Sequence, residues 1–320
     1  MPGRYMFGKY FFTILSKSFS MKNSAKSLLL IILSLSSFEI NSFSQDGTKG
    51  MYIGFILGQM NYQGDLNPNS FTFSHSKATT GITIRQSLNR WISFKGDFAI
   101  GHIDAADSYN RDYLKSRNLS FRTTIKEVSI GLEASLLDLS TNHFTPYVFG
   151  EVALYHFNPW ANDVSGNKIF LHPLSTEGQG LSQFPEQKPY KLTQIALGFG
   201  FGARYAINDN MNIGVELLQR KTFTDYLDDV SSIYVDKNVL LQAKGTKAVE
   251  MAYRGDEVPG GLPYPNHGEQ RGTPSEMDWY YFFGVNFEIK FSAFAQLFKG
   301  MKAENSSALH FTRCPKNVQQ

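Results

Sequence analysis

The chain has 320 residues, of which 42 % are hydrophobic, 18 % charged and 14 % aromatic, and its mean hydropathy is −0.26. Five basic and one acidic residue lie in residues 1–44, which we expect to be removed, so 26 basic and 27 acidic residues remain, a net charge of −1. This balance does not indicate a nucleic-acid partner. The single cysteine, Cys314, excludes an intrachain disulfide and leaves the body of the chain without thiol chemistry.

The N-terminal region has the features of a secretory signal peptide. A basic stretch, residues 21–26, precedes a short apolar run, residues 27–35, and Ser42 to Ser44 form a small-x-small cleavage site. The run is too short for a helical membrane anchor. We predict a signal peptide over residues 1–44 with its true start at Met21; a longer basic region that begins at Met1 is the alternative.

Eight segments after Gln45 alternate apolar and polar side chains with a period of two, which is typical of β-strands. In the fourth, Val128, Ile130 and Leu132 lie on one side and Glu127 and Glu133 on the other. The last alternates for about fifteen residues and places aromatic rings near both ends of its apolar side. The predicted strands cover approximately residues 51–62, 77–87, 91–100, 127–136, 144–156, 195–205, 211–220 and 277–291.

The connections alternate between short and long. Tight polar turns are expected at residues 88–90, 138–143 and 207–210, whereas the other connections span about residues 63–76, 104–120, 157–193 and 221–276. This arrangement predicts an all-β fold: a transmembrane antiparallel up-and-down β-barrel of about eight strands, with short periplasmic turns and long external loops. A soluble lipocalin-like barrel, with its apolar residues inside, is the alternative.

We expect the barrel to occupy residues 45–291 of a mature multi-pass protein of the bacterial outer membrane, followed by a C-terminal tail of unknown role, residues 292–320. Barrels usually finish on a terminal aromatic residue, here Phe291, so the tail departs from this pattern. No cofactor is expected.

The inward sides of the strands carry charges of both signs, in a space that side chains fill in a barrel this narrow. These charges must neutralise one another, because an unpaired buried charge costs several kcal/mol. We therefore predict a structural plug of ion pairs; an ion or proton path is the alternative. The predicted network consists of Arg85, Lys95, Glu127, Glu133, Glu151, Arg204, Glu216, Arg220, Glu288 and Lys290.

Two other chemistries deserve comparison with this structural interpretation. A hydrolase would need a nucleophile and a base near the loops, for which His102, His156, His172 and the stretch Ser175 to Glu177 are candidates. A calcium site would need clustered oxygen ligands, which the acidic residues of 225–229 supply without the regular spacing and glycine of a calcium loop. The sequence favours neither, and we expect no catalytic residues and no metal ligands.

Several loop sequences occur in the order found in one family of outer-membrane proteins. They are NYQGDL (61–66), FTPYVFG (144–150), HFNP (156–159), LSTEGQG (174–180), RKTFTDYLDDVS (220–231), YVD (234–236), QRG (270–272) and DWY (278–280). With these motifs the chain, over about residues 50–291, resembles the PorG-like barrels of the type IX secretion and gliding apparatus of Bacteroidetes-type bacteria. The motif residues singled out are Gly64, Asp65, His156, Asn158, Pro159, Thr176, Glu177, Gly178, Thr222, Asp225, Tyr226, Asp228 and Asp229.

The resemblance implies a non-enzymatic barrel that contacts outer-membrane lipid and anchors a periplasmic ring of PorK- and PorN-like proteins. A general outer-membrane barrel, either an OmpA-like stabiliser or a narrow channel, is one alternative. A barrel enzyme that acts on envelope lipid or peptide is another.

Overall fold

The computed structural model describes residues 50–69, 72–110 and 112–296. The predicted signal peptide, residues 1–44, and residues 297–320 of the predicted tail lie outside these ranges.

Eight long strands form a closed antiparallel barrel. The strands of the sheet are β1 (Met51–Gln63), β2 (Lys77–Ser87), β3 (Ile92–Ala106), β4 (Ser120–Ser135), β5 (Phe144–His156), β6 (Trp160–Asn162), β7 (Lys168–Phe170), β8 (Thr193–Asn208), β9 (Met211–Thr222) and β10 (Trp279–Lys290). The order of the barrel strands is β3-β2-β1-β10-β9-β8-β5-β4, and β3 pairs with β4 to complete the circle. The predicted eight-stranded up-and-down barrel is confirmed.

The two shortest strands, β6 and β7, are not part of the barrel wall. They form a hairpin within the connection from β5 to β8, and this hairpin joins the wall where Trp160 pairs with Arg122 of β4. The sequence did not predict them, because three residues are too few to establish a period of two. The described parts of the long connections also contain three short α-helices: α1 (Asp112–Lys115), α2 (Lys237–Lys244) and α3 (Thr246–Ala252).

The outer wall of the barrel is apolar and its interior is polar. Along β4, Val128, Ile130 and Leu132 are each more than half exposed, whereas the alternate residues Glu127 and Glu133 are buried. This polarity is the reverse of a soluble barrel, and it is stable where lipid rather than water surrounds the wall. No helix within the described ranges is long and apolar enough to cross a membrane.

The two ends of the barrel differ. At one end, the turns span residues 88–91, 136–143 and 209–210. At the other, residues 64–76, 107–119, 157–192 and 223–278 form four long loops, whose described parts we call the cap. The cap has its own small apolar cluster, in which Val235, Leu240, Ala248 and Ala252 are fully buried. The long loops therefore fold onto one another above the barrel.

The polarity of the wall can be tested with two variants, each of which introduces one lysine at a different height on β4. Ile130→Lys faces the middle of the apolar band and should lower the free energy of unfolding by ~2–4 kcal/mol, whereas Thr124→Lys, beyond the band, should cost ~0–1 kcal/mol. Urea unfolding in lipid vesicles measures both. Equal effects at the two positions would contradict a membrane-spanning wall.

Candidate functional site

The lumen is filled by three layers of ion pairs, stacked from the short turns towards the cap. In the layer nearest the turns, Arg204 donates to both carboxylate oxygens of Glu133, at 2.5 and 2.8 Å, and lies 3.4 Å from Glu288. Arg85 also donates to Glu288, at 2.7 Å. All four side chains are buried, so two cations and two carboxylates compensate one another in this layer.

The middle layer is built around Glu216. Its carboxylate accepts hydrogen bonds from the Lys95 ammonium at 2.8 Å and from the Tyr147 hydroxyl at 2.8 Å. Lys95 also lies 3.4 Å from Asp97 and 4.3 Å from the centroid of the Phe149 ring. A single lysine thus serves two carboxylates and an aromatic face.

The layer nearest the cap is built around Arg220. Its guanidinium donates to Glu127 and to Glu151, at 3.0 Å each, while the Tyr280 hydroxyl donates to Glu127 at 2.7 Å. Gly198 faces this guanidinium, and a Cβ at that position would lie 1.9 Å from Nη1. Glycine is therefore needed here so that the arginine can cross the lumen.

Nine of the ten residues predicted for the lumen network belong to these layers. The tenth, Lys290, lies at the short-turn mouth of the barrel, beside a cavity of about 500 Å³ that is also lined by Tyr52 and Asn212. Sequence reasoning missed the hydroxyl donors Tyr147 and Tyr280, since an alternating pattern does not distinguish a buried ring that packs from one that also donates a hydrogen bond.

Above the charged layers, stacked rings join the lumen to the cap. Tyr155 stacks on Phe157 with 5.7 Å between centroids, Phe157 on Tyr190 with 6.1 Å, and Tyr190 on Tyr226 with 4.7 Å. These rings come from β5 and from two cap loops, so they fix the position of the loops over the barrel.

Glu177 and Arg271 form the central ion pair of the cap, at 2.8 Å. The Glu177 carboxylate also accepts the backbone N–H groups of Ser231 and Ser232, at 2.9 and 3.0 Å. Gly178 follows with φ of +75°, and a Cβ there would lie 2.5 Å from Phe184. Glu177 is therefore a structural anion whose oxygens are already occupied, and it is not available as a catalytic base.

A second set of contacts surrounds Asp229, which has a positive φ of 68°. Its carboxylate accepts hydrogen bonds from Thr176 and Tyr190, both at 2.6 Å, and lies 3.9 Å from the Arg271 guanidinium. Burial raises the pKa of Asp229 to about 6, although Arg271 and the two hydroxyls act in the opposite direction.

A third set lies where the cap meets the lumen. The Tyr62 hydroxyl is 2.6 Å from Asp228 and 2.9 Å from Asp278. Burial, together with the nearby carboxylates, raises the pKa values of both aspartates well above the usual range. A Cβ on Gly64 would lie 1.9 Å from the Asp278 carboxylate, so this part of the first loop requires glycine.

Arg117 ties three of the four loops together. It forms an ion pair with Asp107 at 2.7 Å and donates to the backbone carbonyls of Arg271, at 2.5 Å, and Asp65, at 3.1 Å. The Asp65 side chain in turn accepts the N–H of Thr273 at 3.0 Å. Arg117 and Arg271 were both missed as site residues, because irregular loops carry no periodicity that indicates which cation is buried.

Asp225 differs from the paired carboxylates above, since neither of its buried oxygens has a hydrogen-bond partner of normal geometry. Only 4 % of the residue is exposed. Burial and the nearby carboxylates Asp65 and Asp228 raise its pKa to about 9, although the Ser231 side chain acts in the opposite direction. Asp225 is therefore protonated and neutral at pH 7.

The remaining motif residues have local structural roles. Thr222 donates to the carbonyl of Asp278 at 2.6 Å, the N–H of Asn158 donates to Thr123 at 2.9 Å, and the carbonyl of Pro159 accepts the N–H of Leu171 at 2.9 Å. His156 lies 2.9 Å from the Thr193 hydroxyl at the edge of the outer wall.

The residues considered for catalysis or metal binding do not converge. His102 lies 3.0 Å from the Thr124 hydroxyl on the exposed outer wall, and His172 lies 3.0 Å from the carbonyl of Tyr190 in the cap, so the two histidines do not belong to one site. Asp225, Asp228 and Asp229 each contact different residues, so their carboxylates do not converge on one point. Across the described part of the chain, no group of three or more His, Cys, Asp or Glu side chains is arranged to hold a metal ion.

Removal of one lumen cation should destabilise the barrel, because the carboxylates that it pairs with would be left buried without a counter-charge. Arg220→Leu leaves Glu127 and Glu151 buried without a cation and should lower the free energy of unfolding by ~3–5 kcal/mol. Arg122→Ala, a matched change on the outer wall, should cost ~0–1 kcal/mol. Adding Glu127→Gln and Glu151→Gln to Arg220→Leu should restore part of the loss in urea unfolding; no recovery would argue against the charge explanation.

The stability of the cap should fall as the pH rises. The folded-state pKa of Asp225, about 9, is above the ordinary value of 3.8, so its contribution is complete below about pH 4 and is lost as the pH rises through about 9. Asp225→Asn stays neutral and should raise the melting temperature at pH 9 by roughly 2 °C or more, with little effect at pH 5. Asp209→Asn, in an exposed turn, is the control; a pH profile unchanged by Asp225→Asn would refute the assignment.

The chain was compared with protein families, curated proteins and solved structures. The family model of the outer membrane protein beta-barrel domain matches residues 29–240. No curated protein matches the chain. Among solved structures, Neisserial surface protein A is 9 % identical with a TM-score of 0.38 over 75 % of this chain and 97 % of its own. Ail of Yersinia pestis is 8 % identical with a TM-score of 0.37 over 75 % of this chain and 98 % of its own. The N-terminal β-barrel domain of Pseudomonas aeruginosa OprF is 12 % identical with a TM-score of 0.30 over 74 % of this chain and 97 % of its own.

The family model matches well over half of the length of this chain. The chain therefore belongs to the outer membrane protein beta-barrel domain family and is a barrel of the outer membrane.

Proposed function

We propose that this protein is a closed, non-enzymatic structural barrel of the outer membrane, which presents a folded cap on one side and short turns on the other. The observation that carries the proposal is the packed lumen, in which Arg204, Lys95 and Arg220 each join carboxylates from different strands. A polar lumen filled in this way leaves no water-lined route for solutes.

The geometry of the candidate catalytic residues supports the non-enzymatic part of the proposal. Glu177 is engaged by Arg271 and two backbone N–H groups, His172 contacts a backbone carbonyl, and His156 contacts the Thr193 hydroxyl on the exposed outer wall rather than in an enclosed site. A hydrolytic site needs a nucleophile–base pair within hydrogen-bond reach.

Planar-bilayer recordings test the closed lumen. The wild-type protein should show no steady conductance, whereas the combined change Lys95→Ala, Glu216→Ala and Tyr147→Ala removes the middle layer and should open a small ion path. Ser140→Ala, in a short turn, is the control. A steady conductance of the wild type would refute the structural role and favour the narrow channel.

We further propose that the barrel anchors a periplasmic ring of PorK- and PorN-like proteins in the type IX secretion apparatus. The sequence resemblance over about residues 50–291 supports this, and its motif residues Asp65, Thr176, Glu177, Asp228 and Asp229 contribute to the cap contacts described above. The partner would meet the barrel at the short turns, because these face the periplasm.

Purification of the tagged protein from crosslinked outer membranes tests the anchor. Mass spectrometry should recover PorK- and PorN-like proteins with the wild type, and shortening the turn at 136–143 to two residues should abolish their recovery. Asp225→Asn, on the cap side, should leave it unchanged. Absence of ring proteins from an abundant, folded barrel would refute the anchor but leave the closed structural barrel intact.

A further inference from the structure

Tyr62 connects β1 to both ends of the fourth loop, residues 223–278. Its hydroxyl lies 2.6 Å from Oδ2 of Asp228, near the start of that loop, and 2.9 Å from Oδ1 of Asp278, the last residue of the loop. The three residues are at most 1 % exposed. One phenol therefore bridges two buried carboxyl groups that lie far apart in the sequence of the loop.

The second oxygen of each carboxyl group is already bound. The N–H of Val230 donates to Oδ1 of Asp228 at 2.9 Å, and the N–H of Leu227 donates to Oδ2 of Asp278 at 2.8 Å. The bridging oxygens thus depend on the Tyr62 hydroxyl for a hydrogen. A phenol has one hydrogen and can donate to only one of them.

This geometry determines how many protons the pair carries. If both carboxyl groups were ionised, one bridging oxygen would face the phenol oxygen at hydrogen-bond distance with no hydrogen between them. If both were protonated, the phenol hydrogen would have no acceptor. With one proton, the neutral carboxyl donates to the phenol and the phenol donates to the carboxylate. Only this arrangement satisfies all of the buried groups, and an unsatisfied buried group is costly.

The surroundings of the pair are acidic. The charged and titratable groups that face it are Asp65 of the first loop, Arg117 of the second, Tyr190 of the third, Asp225 of the fourth and Tyr155 of β5. Arg117 is the one cation among them, and it already forms an ion pair with Asp107. Burial and the neighbouring carboxylates raise the pKa values of Asp228 and Asp278 well above the ordinary value. The pair therefore keeps its proton where an exposed aspartate is ionised.

The pair also lies at the base of the fourth loop. The N–H of Asp278 donates to the carbonyl of Thr224 at 3.0 Å, and the Thr222 hydroxyl donates to the carbonyl of Asp278 at 2.6 Å. These contacts join the two ends of the loop to each other, whereas the Tyr62 hydroxyl joins them to β1. A Cβ on Gly64 would lie 2.1 Å from that hydroxyl, so the first loop leaves β1 in close contact with the pair.

We propose that the fourth loop is held over the barrel by a proton latch, in which Asp228 and Asp278 share one proton through the Tyr62 hydroxyl. Loss of the proton leaves two buried carboxylates beside one phenol, and the base of the loop separates from β1 while the ion pairs of the lumen keep the barrel folded. The latch is separate from the contribution of Asp225, and it does not depend on a secretion role or on the closed lumen.

The direction of the pH dependence follows from the raised pKa values. The contribution of the latch is complete below the ordinary carboxyl pKa of 3.8 and is lost as the pH rises through the raised value of the pair. Asparagine at either position imitates the protonated carboxyl, because its amide group donates to the phenol while its oxygen accepts the backbone N–H. Either single substitution should therefore keep the latch closed at high pH.

The first test is limited proteolysis of the full-length barrel in lipid vesicles by proteinase K, in an Asp225→Asn background so that Asp225 does not titrate. Cleavage in the fourth loop, normalised to an unfolded peptide at each pH, should be at least about tenfold faster at about pH 10 than at about pH 6. Adding Asp278→Asn should reduce this ratio to less than about twofold. Asp256→Asn, exposed in the same loop, is the matched control and should leave the ratio unchanged.

The second test counts the protons. At about pH 6, Asp228→Asn and Asp278→Asn should each melt within about 2 °C of the wild type, whereas the double variant should melt at least about 4 °C lower, since two amide donors leave the phenol hydrogen without an acceptor. Heat-modifiable gel mobility confirms that the barrel is folded, and Asp228→Asn replaces Asp278→Asn in the proteolysis if the latter does not fold. A pH-insensitive Asp225→Asn protein, a ratio that Asp278→Asn leaves unchanged or Asp256→Asn reduces equally, or a double variant as stable as the single ones would overturn the proposal.

Discussion

Compensation of buried charge is the constraint on which the rest of this structure depends. A narrow lumen excludes water, so each charged side chain that points inward needs a partner of opposite sign. Arg204 of β8 reaches Glu133 of β4 and Glu288 of β10, and Arg85 of β2 binds the same Glu288. These contacts cross the barrel between strands that are distant in sequence. A slip of one residue in any of them would turn the charge towards lipid, so the ion pairs also fix the register.

The cap meets the same constraint differently. It contains more buried carboxylates than cations: Arg117 and Arg271 serve Asp107, Glu177 and Asp229, while Asp225 has no counter-charge and its pKa is raised to about 9. Protonation, rather than ion pairing, keeps this group neutral. The stability of the cap therefore depends on the proton concentration of the solution around it.

The barrel was predictable from sequence because its signal is repeated. From Val128 to Ala134 of β4, apolar residues alternate strictly with charged and small ones, and the last strand alternates over a still longer run, so both the strands and their inward sides could be assigned. The ion-pair partners within the lumen could not be predicted. Lys95 pairs with Glu216 rather than with Glu151, and this depends on how all eight strands are shifted relative to one another. The hairpin β6–β7 and the roles of Arg117 and Arg271 were likewise hidden, since irregular loops and three-residue strands have no period.

Because side chains fill the lumen, a binding partner must contact the outer surfaces of the barrel. At the short-turn end, the cavity that Lys290 borders is also lined by Arg85, whose guanidinium is held by Glu288. At the other end, the cap closes over the stacked rings from Tyr155 to Tyr226. The outer wall between them changes from apolar to basic within the two residues from Val128 to Lys126. The lipid-facing wall, the cap and the short turns are thus three separate surfaces. A substitution on one of them tests the binding role of that surface without disturbing the ion pairs that stabilise the barrel.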